Sequence, residues 1–167
     1  MRSGSMWTVV AVASVSAIAL AACGRSPSSL PEAASAEPFV PGLGEIMGLQ
    51  QMRHVKLWFA GQAGNWKLAS YELDELGEGF DDAVKFHPTH KDSPVALKEV
   101  VPRMVTPPLD ELRKAIEKQD LLSFNAAYDH LTEACNGCHV ATNFEFNRVQ
   151  RPAANPYPNQ AFEPVRP

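Results

Sequence analysis

Between residues 43 and 144, apolar and small side chains recur at steps of three and four. No alternating apolar/polar stretch of useful length interrupts them, so the pattern predicts helices, not strands. On the first helix, Leu43 to about Ala60, a single stripe carries Leu43, Met47, Gln50, His54, Leu57 and Gly61. Gly61-Gln62-Ala63-Gly64 ends it, and Asn65 suits the N-cap of the next. The second helix runs from Trp66 to about Phe86 on a stripe of Ala69, Leu73, Leu76, Phe80, Ala83 and His87, and Pro88 closes it. Residues 88–108 hold Pro88, Pro94, Pro102, Pro107 and Pro108 and read as a long, irregular connection. A third helix follows, with Leu109, Leu112 and Ile116 in its stripe and an end near Lys118. Asp120 caps a fourth, which reaches about Asn143 with Phe124, Tyr128, Leu131, Cys135 and Cys138 facing inward. The expected fold class is all-α: an antiparallel four-helix bundle over residues 43–146.

The ends of the chain break this pattern. Residues 1–22 carry one charge, Arg2, and an apolar or small run from Trp7 to Leu20. That run falls short of the ~20 residues that span a bilayer and reads as a secretory signal. It ends in Leu20-Ala21-Ala22-Cys23-Gly24, which resembles a bacterial lipobox. On that resemblance Cys23 becomes the lipidated first residue of a mature chain that faces the periplasm on the inner or outer membrane. Acyl chains hold such a chain on the membrane at ~0.8 kcal/mol per buried CH₂. Residues 23–42 are rich in Pro, Gly, Ser and Ala and read as a flexible tether. Residues 147–167 hold five prolines (Pro152, Pro156, Pro158, Pro164, Pro167) and read as an extended, non-helical tail.

Charge narrows the function. The 167 residues carry a formal charge of −4. No large basic surface is available to neutralise phosphates, which argues against nucleic-acid binding. Glu72 to Asp82 holds six acids and no base, a face able to steer a basic partner.

The three cysteines are Cys23, Cys135 and Cys138, an odd number for an exported chain. The last two lie in Cys135-Asn136-Gly137-Cys138-His139, the C-x-x-C-H pattern of c-type haem attachment. Two thiols add to the two vinyl groups on one porphyrin edge, and the adjacent histidine reaches the iron. A structural zinc site would need a fourth ligand, and a redox dithiol would favour a βαβ context. A Cys135–Cys138 disulfide in a haem-free structural lipoprotein stays open.

A C-x-x-C-H near the C-terminus, on the last helix of a four-helix bundle, resembles the cytochrome c-prime superfamily. The resemblance covers roughly residues 43–146. It implies one covalent haem c, with Cys135 and Cys138 as thioether residues and His139 as the proximal iron ligand. It also implies a distal face covered by the first helix. A methionine there makes a six-coordinate electron carrier; an apolar residue leaves a five-coordinate haem that binds or senses NO or CO. The candidates are Met47, Met52 and His54. His139 stands about four residues from the end of its helix, and Met47 stands four from the start of the first. His54 lies seven residues (~10 Å) deeper and Met52 is off the stripe. Met47 is therefore favoured as distal ligand, with His54 the alternative. The reading is a one-electron carrier rather than an enzyme, with redox proteins of the periplasm or membrane as partners. A homodimer through the first two helices is compatible with the resemblance.

Overall fold

The structure is a computed structural model that describes residues 38–91 and 93–165. Cys23, the expected signal peptide and the tether up to residue 37 lie outside the described residues. Among the described residues every regular element is a helix: α1 Leu43–Gln62, α2 Trp66–Phe86, α3 Leu97–Met104, α4 Thr106–Glu117 and α5 Leu121–Ala141. None is long and apolar enough to cross a membrane.

Two of the connections share one local solution. At the end of α1, Gly64 adopts φ 67°, its N–H bonds the Gly61 carbonyl, and the Asn65 N–H bonds the Ala60 carbonyl. This paired closure of orphan carbonyls is a Schellman motif, and it needs a left-handed residue just past the helix. At the end of α4, Gln119 takes that role with φ 55°, and the Gln119 and Asp120 N–H groups bond the carbonyls of Ile116 and Ala115. In each case the next residue caps the following helix. Asn65 accepts from the Leu68 N–H, and Asp120 accepts from those of Leu122 and Ser123. Helix end and helix start are therefore encoded within about six residues.

The stretch expected to be an irregular connection contains α3, so the helices among the described residues number five, not four. Leu97, Val100, Val101, Met104 and Val105 recur at helical spacing, and Leu97, Val100, Val101 and Val105 are buried. Pro102 removes one backbone donor late in this short helix, a loss that the burial of its apolar face outweighs. Pro107 and Pro108 lie in the first turn of α4, where a missing N–H costs little.

The core is built from the predicted stripes. Leu57, Leu73, Leu76, Leu112, Phe124, Tyr128 and Leu131 are fully buried. Between α1 and α2, Gln50 donates to the Leu76 carbonyl at 2.6 Å and Arg53 pairs with Glu72 and Glu75 at 3.1 and 2.6 Å. Between α1 and α5, Gly61 meets the ring of Phe124, and His54 meets Tyr128 and Thr132.

Residues 144–165 contain no helix, as their prolines predict, yet they pack against the helices. Arg151 holds Asp129 of α5 through Nε and Nη2, at 3.0 and 2.6 Å, and stacks over Trp58 of α1 at 4.3 Å. Phe162 is 6% exposed, with its ring 5.6 Å from that of Phe59.

Candidate functional site

At 100° per residue, Cys135, Cys138 and His139 fall within about 100° of one another around α5. They continue the stripe that carries Tyr128, Leu131 and Thr132, so the sequence motif sits on the core-facing side of the last turns. Cys138 is buried, Cys135 is half-buried, and both are free thiols. Burial pushes the Cys135 thiol up to about 12, with the nearby Cys138 adding to it, and burial raises Cys138 as well. Both are therefore protonated at neutral pH. That state disfavours the thiolate chemistry of disulfide exchange and of metal ligation.

His139 is half-buried, and the chain beyond it meets one of its ring nitrogens. Helix α5 ends in a third Schellman motif: the Phe144 N–H bonds the His139 carbonyl at 2.7 Å and the Asn143 N–H bonds the Val140 carbonyl at 3.4 Å. Asn143 holds φ 65°, a left-handed backbone that asparagine tolerates better than most residues. The chain doubles back over the end of α5, and the Asn147 carbonyl meets Nδ1 of His139. A carbonyl oxygen only accepts, so Nδ1 carries the proton. In the tautomer with its one proton on Nδ1 the ring has its lone pair on Nε2, the arrangement in which a metal-binding histidine is oriented by an outer partner.

Asn136, the first variable residue of the motif, binds the same returning segment. Its Nδ2 donates to the Val149 carbonyl at 2.9 Å, and its Oδ1 accepts from the Val149 N–H at 2.8 Å. Gly137 faces away from the thiol stripe, and a Cβ there would come within 2.7 Å of Met104 Cε on α3. Helix α3 thus packs behind the motif and leaves the thiol face to other elements.

Met47 and His54, the two favoured of the three candidates for the distal position, differ in what they are free to do. His54 is 3% exposed, and both ring nitrogens are engaged: Nε2 with Thr132 Oγ1 and Nδ1 with Tyr128 Oη, each at 2.9 Å. The Tyr128 hydroxyl also lies 2.9 Å from the His54 carbonyl, and Thr132 Oγ1 reaches the Tyr128 carbonyl at 2.9 Å. Burial lowers the His54 pKa to about 4, so the ring is neutral inside this network. Met47 makes no such commitment and packs, half-buried, at the edge of the core.

Of the acidic run on α2, Glu72 and Glu75 are neutralised by Arg53, and Asp74 by Arg113 at 2.7 Å. Glu78, Asp81 and Asp82 remain exposed. His87 bonds the Pro41 carbonyl at 2.8 Å, and His130 bonds Glu111 at 2.8 Å. Among the described residues no group of three or more His, Cys, Asp or Glu side chains converges as a metal site. The donor set on α5 is two unbonded thiols and one imidazole nitrogen, and it fits a haem attached through C-x-x-C-H.

Asn136, Asn147, Met104 and Phe162 carry no signal in the sequence pattern. Two of them act on or through backbone carbonyls, which have no side-chain signature, and the others lie in proline-rich stretches that mask periodicity. No protein-family model, curated protein or solved structure matches the chain.

Proposed function

We propose that this chain is a lipid-anchored, monohaem c-type cytochrome of the helical-bundle kind that passes single electrons between redox partners on the periplasmic side of a bacterial membrane. One observation carries the reading: His139, adjoining two free thiols on one helix face, has Nδ1 tied to the Asn147 carbonyl and Nε2 left to bind iron. A haem attached there supplies a one-electron iron couple. Cys135 and Cys138 would hold it by thioether bonds, and His139 would be the iron ligand next to them. The packed helices keep water from one side, while Glu78, Asp81 and Asp82 offer a negative surface to a basic partner.

Met47 would supply the second iron ligand in this proposal. Partners of α1 on α5 descend as α1 ascends: Gly61 meets Phe124, while His54 meets Tyr128 and Thr132. Partners on α2 run the same way, with Pro41 against His87, Gln50 against Leu76 and Arg53 against Glu72. These pairings favour an antiparallel arrangement. Seven residues before His54, α1 reaches Met47; the same step from Tyr128 and Thr132 along α5 reaches Cys135 and His139. His54, with both nitrogens engaged, suits a core role better than iron ligation.

The decisive experiment is expression of the full chain in a host that matures c-type cytochromes, with a covalent-haem stain of the denaturing gel. A stained band that disappears in the C135A/C138A double variant is expected. An unstained wild-type band rejects the cytochrome reading. In parallel, Cys23→Ser is expected to release the protein from the membrane fraction; retention there rejects the lipid anchor.

A further inference from the structure

The attachment motif contains two residues between its cysteines. Gly137 has a steric reason in the approach of Met104. Asn136 points to the flank of α5 and takes no part in the thiol face. Its side-chain amide forms a two-point clamp on a single backbone unit, Val149, with donor and acceptor both used. A two-point bond fixes orientation as well as distance, so Val149 cannot swing while the clamp is closed. Val149 lies two residues beyond Asn147, whose carbonyl accepts from His139 Nδ1. On the other side of Asn147, the segment is fixed by the Schellman closure at Phe144 and by the Asn147 N–H bond to the Phe144 carbonyl at 2.9 Å. The carbonyl that meets His139 is therefore held between two anchors, one made by the helix end and one by Asn136.

We propose that Asn136 is a positioning residue for His139: by clamping Val149 it aims the Asn147 carbonyl at Nδ1, and so fixes the proton on Nδ1 and the plane of the ring. The clamp and its target both belong to α5, since Asn136 precedes His139 by three residues. The device is a closed loop, from one turn of the helix out to the returning segment and back to the next turn. Arg151, two residues further on, ties the same segment to Asp129 and Trp58, but at a point more distant from the ring. The functional meaning of the device rests on the cytochrome reading. A carbonyl accepting from Nδ1 makes Nε2 a stronger donor and favours oxidised over reduced iron, so its loss raises the reduction potential.

The test uses the full chain labelled with ¹⁵N-histidine. The readout is the rate at which the His139 Nδ1 proton exchanges with solvent. That proton can be followed with or without haem, in the reduced state when haem is present. Asn136→Ala is expected to speed the exchange roughly tenfold, as for the loss of about one net hydrogen bond. Asn136→Asp keeps the acceptor for the Val149 N–H and loses the donor. It is expected to fall between the two, and it serves if the alanine variant does not fold. Phe162→Ala loosens the far end of the segment and is expected to lower stability while leaving the exchange rate unchanged. Where haem is bound, the midpoint potential of Asn136→Ala is expected to rise with no loss of covalent stain. An exchange rate equal to wild type in the folded variants overturns the proposal. A wild-type chain that takes no haem rejects the cytochrome reading and leaves the proton measurement to decide the role of Asn136.

Discussion

His54 makes the stability of this protein depend on acidity in a narrow window. Its ring is buried and neutral, engaged on both sides by Thr132 and Tyr128, and burial lowers its pKa from 6.5 to about 4. In the unfolded chain the ring takes up a proton near the ordinary value. In the folded chain it does not until about pH 4. Between those values the unfolded state binds about one more proton, so stability falls as pH falls. The slope is about 1.4 kcal/mol per pH unit, and over about 2.5 units the loss approaches 3.4 kcal/mol. The contribution is complete above pH 6.5 and fully lost below about 4. The assay is urea unfolding at several pH values, with midpoints converted at a common m-value. His54→Gln keeps a donor and an acceptor facing Thr132 and Tyr128 but has no proton to gain. Between pH 6.5 and 5, above the range where ordinary carboxylates titrate, the wild type is expected to show the extra slope and the variant to lack it. Equal slopes in the two proteins refute the argument, because the other histidines are common to both.

Further expectations concern packing, backbone and ligation. Gly61→Ala places a Cβ into the ring of Phe124, which is held by Trp58, Trp66 and Tyr128 and cannot retreat. A loss of about 1–3 kcal/mol in chemical denaturation is expected. Asn143 sits at φ 65°, a left-handed backbone that glycine adopts without steric cost. Valine there forces a branched side chain into the left-handed region at about 1–3 kcal/mol, read as a lower thermal midpoint. Met47→Ala is expected to make the spectrum of the reduced protein respond to carbon monoxide where the wild type does not. A wild type that responds as strongly as the variant removes Met47 from the iron and favours an open, gas-binding haem.

Side-chain periodicity made four helices legible, because Leu57, Leu73, Leu112 and Phe124 recur on stripes that the core buries. It concealed α3, because Pro102 and its neighbours signal a break. The burial of Leu97, Val100, Val101 and Val105 decides the matter, and burial is a tertiary quantity. The placement of the motif was legible, since helical spacing puts Cys135, Cys138 and His139 on one side of α5. The environment of His139 was not. It depends on the Asn147 carbonyl, which every residue type possesses, and on a turn at Asn143 whose left-handed backbone asparagine permits but does not demand. His54 lay on the predicted stripe. Its engagement with Tyr128 and Thr132 needed the relative heights of two helices separated by more than 70 residues.

The docked C-terminal segment also constrains the order in which the molecule can be completed. Phe162 rests on Phe59 and Arg151 on Trp58, so residues synthesised long after α1 close contacts with it across about 100 positions of chain. Closing a loop of that length is slow compared with forming any of the helices. A chain still emerging can form α1 and α2 with the short turn between them, but not the contacts that seal α1 to the C-terminal segment. That packing therefore waits until Phe162 has been made, and a chain stopped a few residues before Phe162 leaves the Phe59 side of α1 open to water.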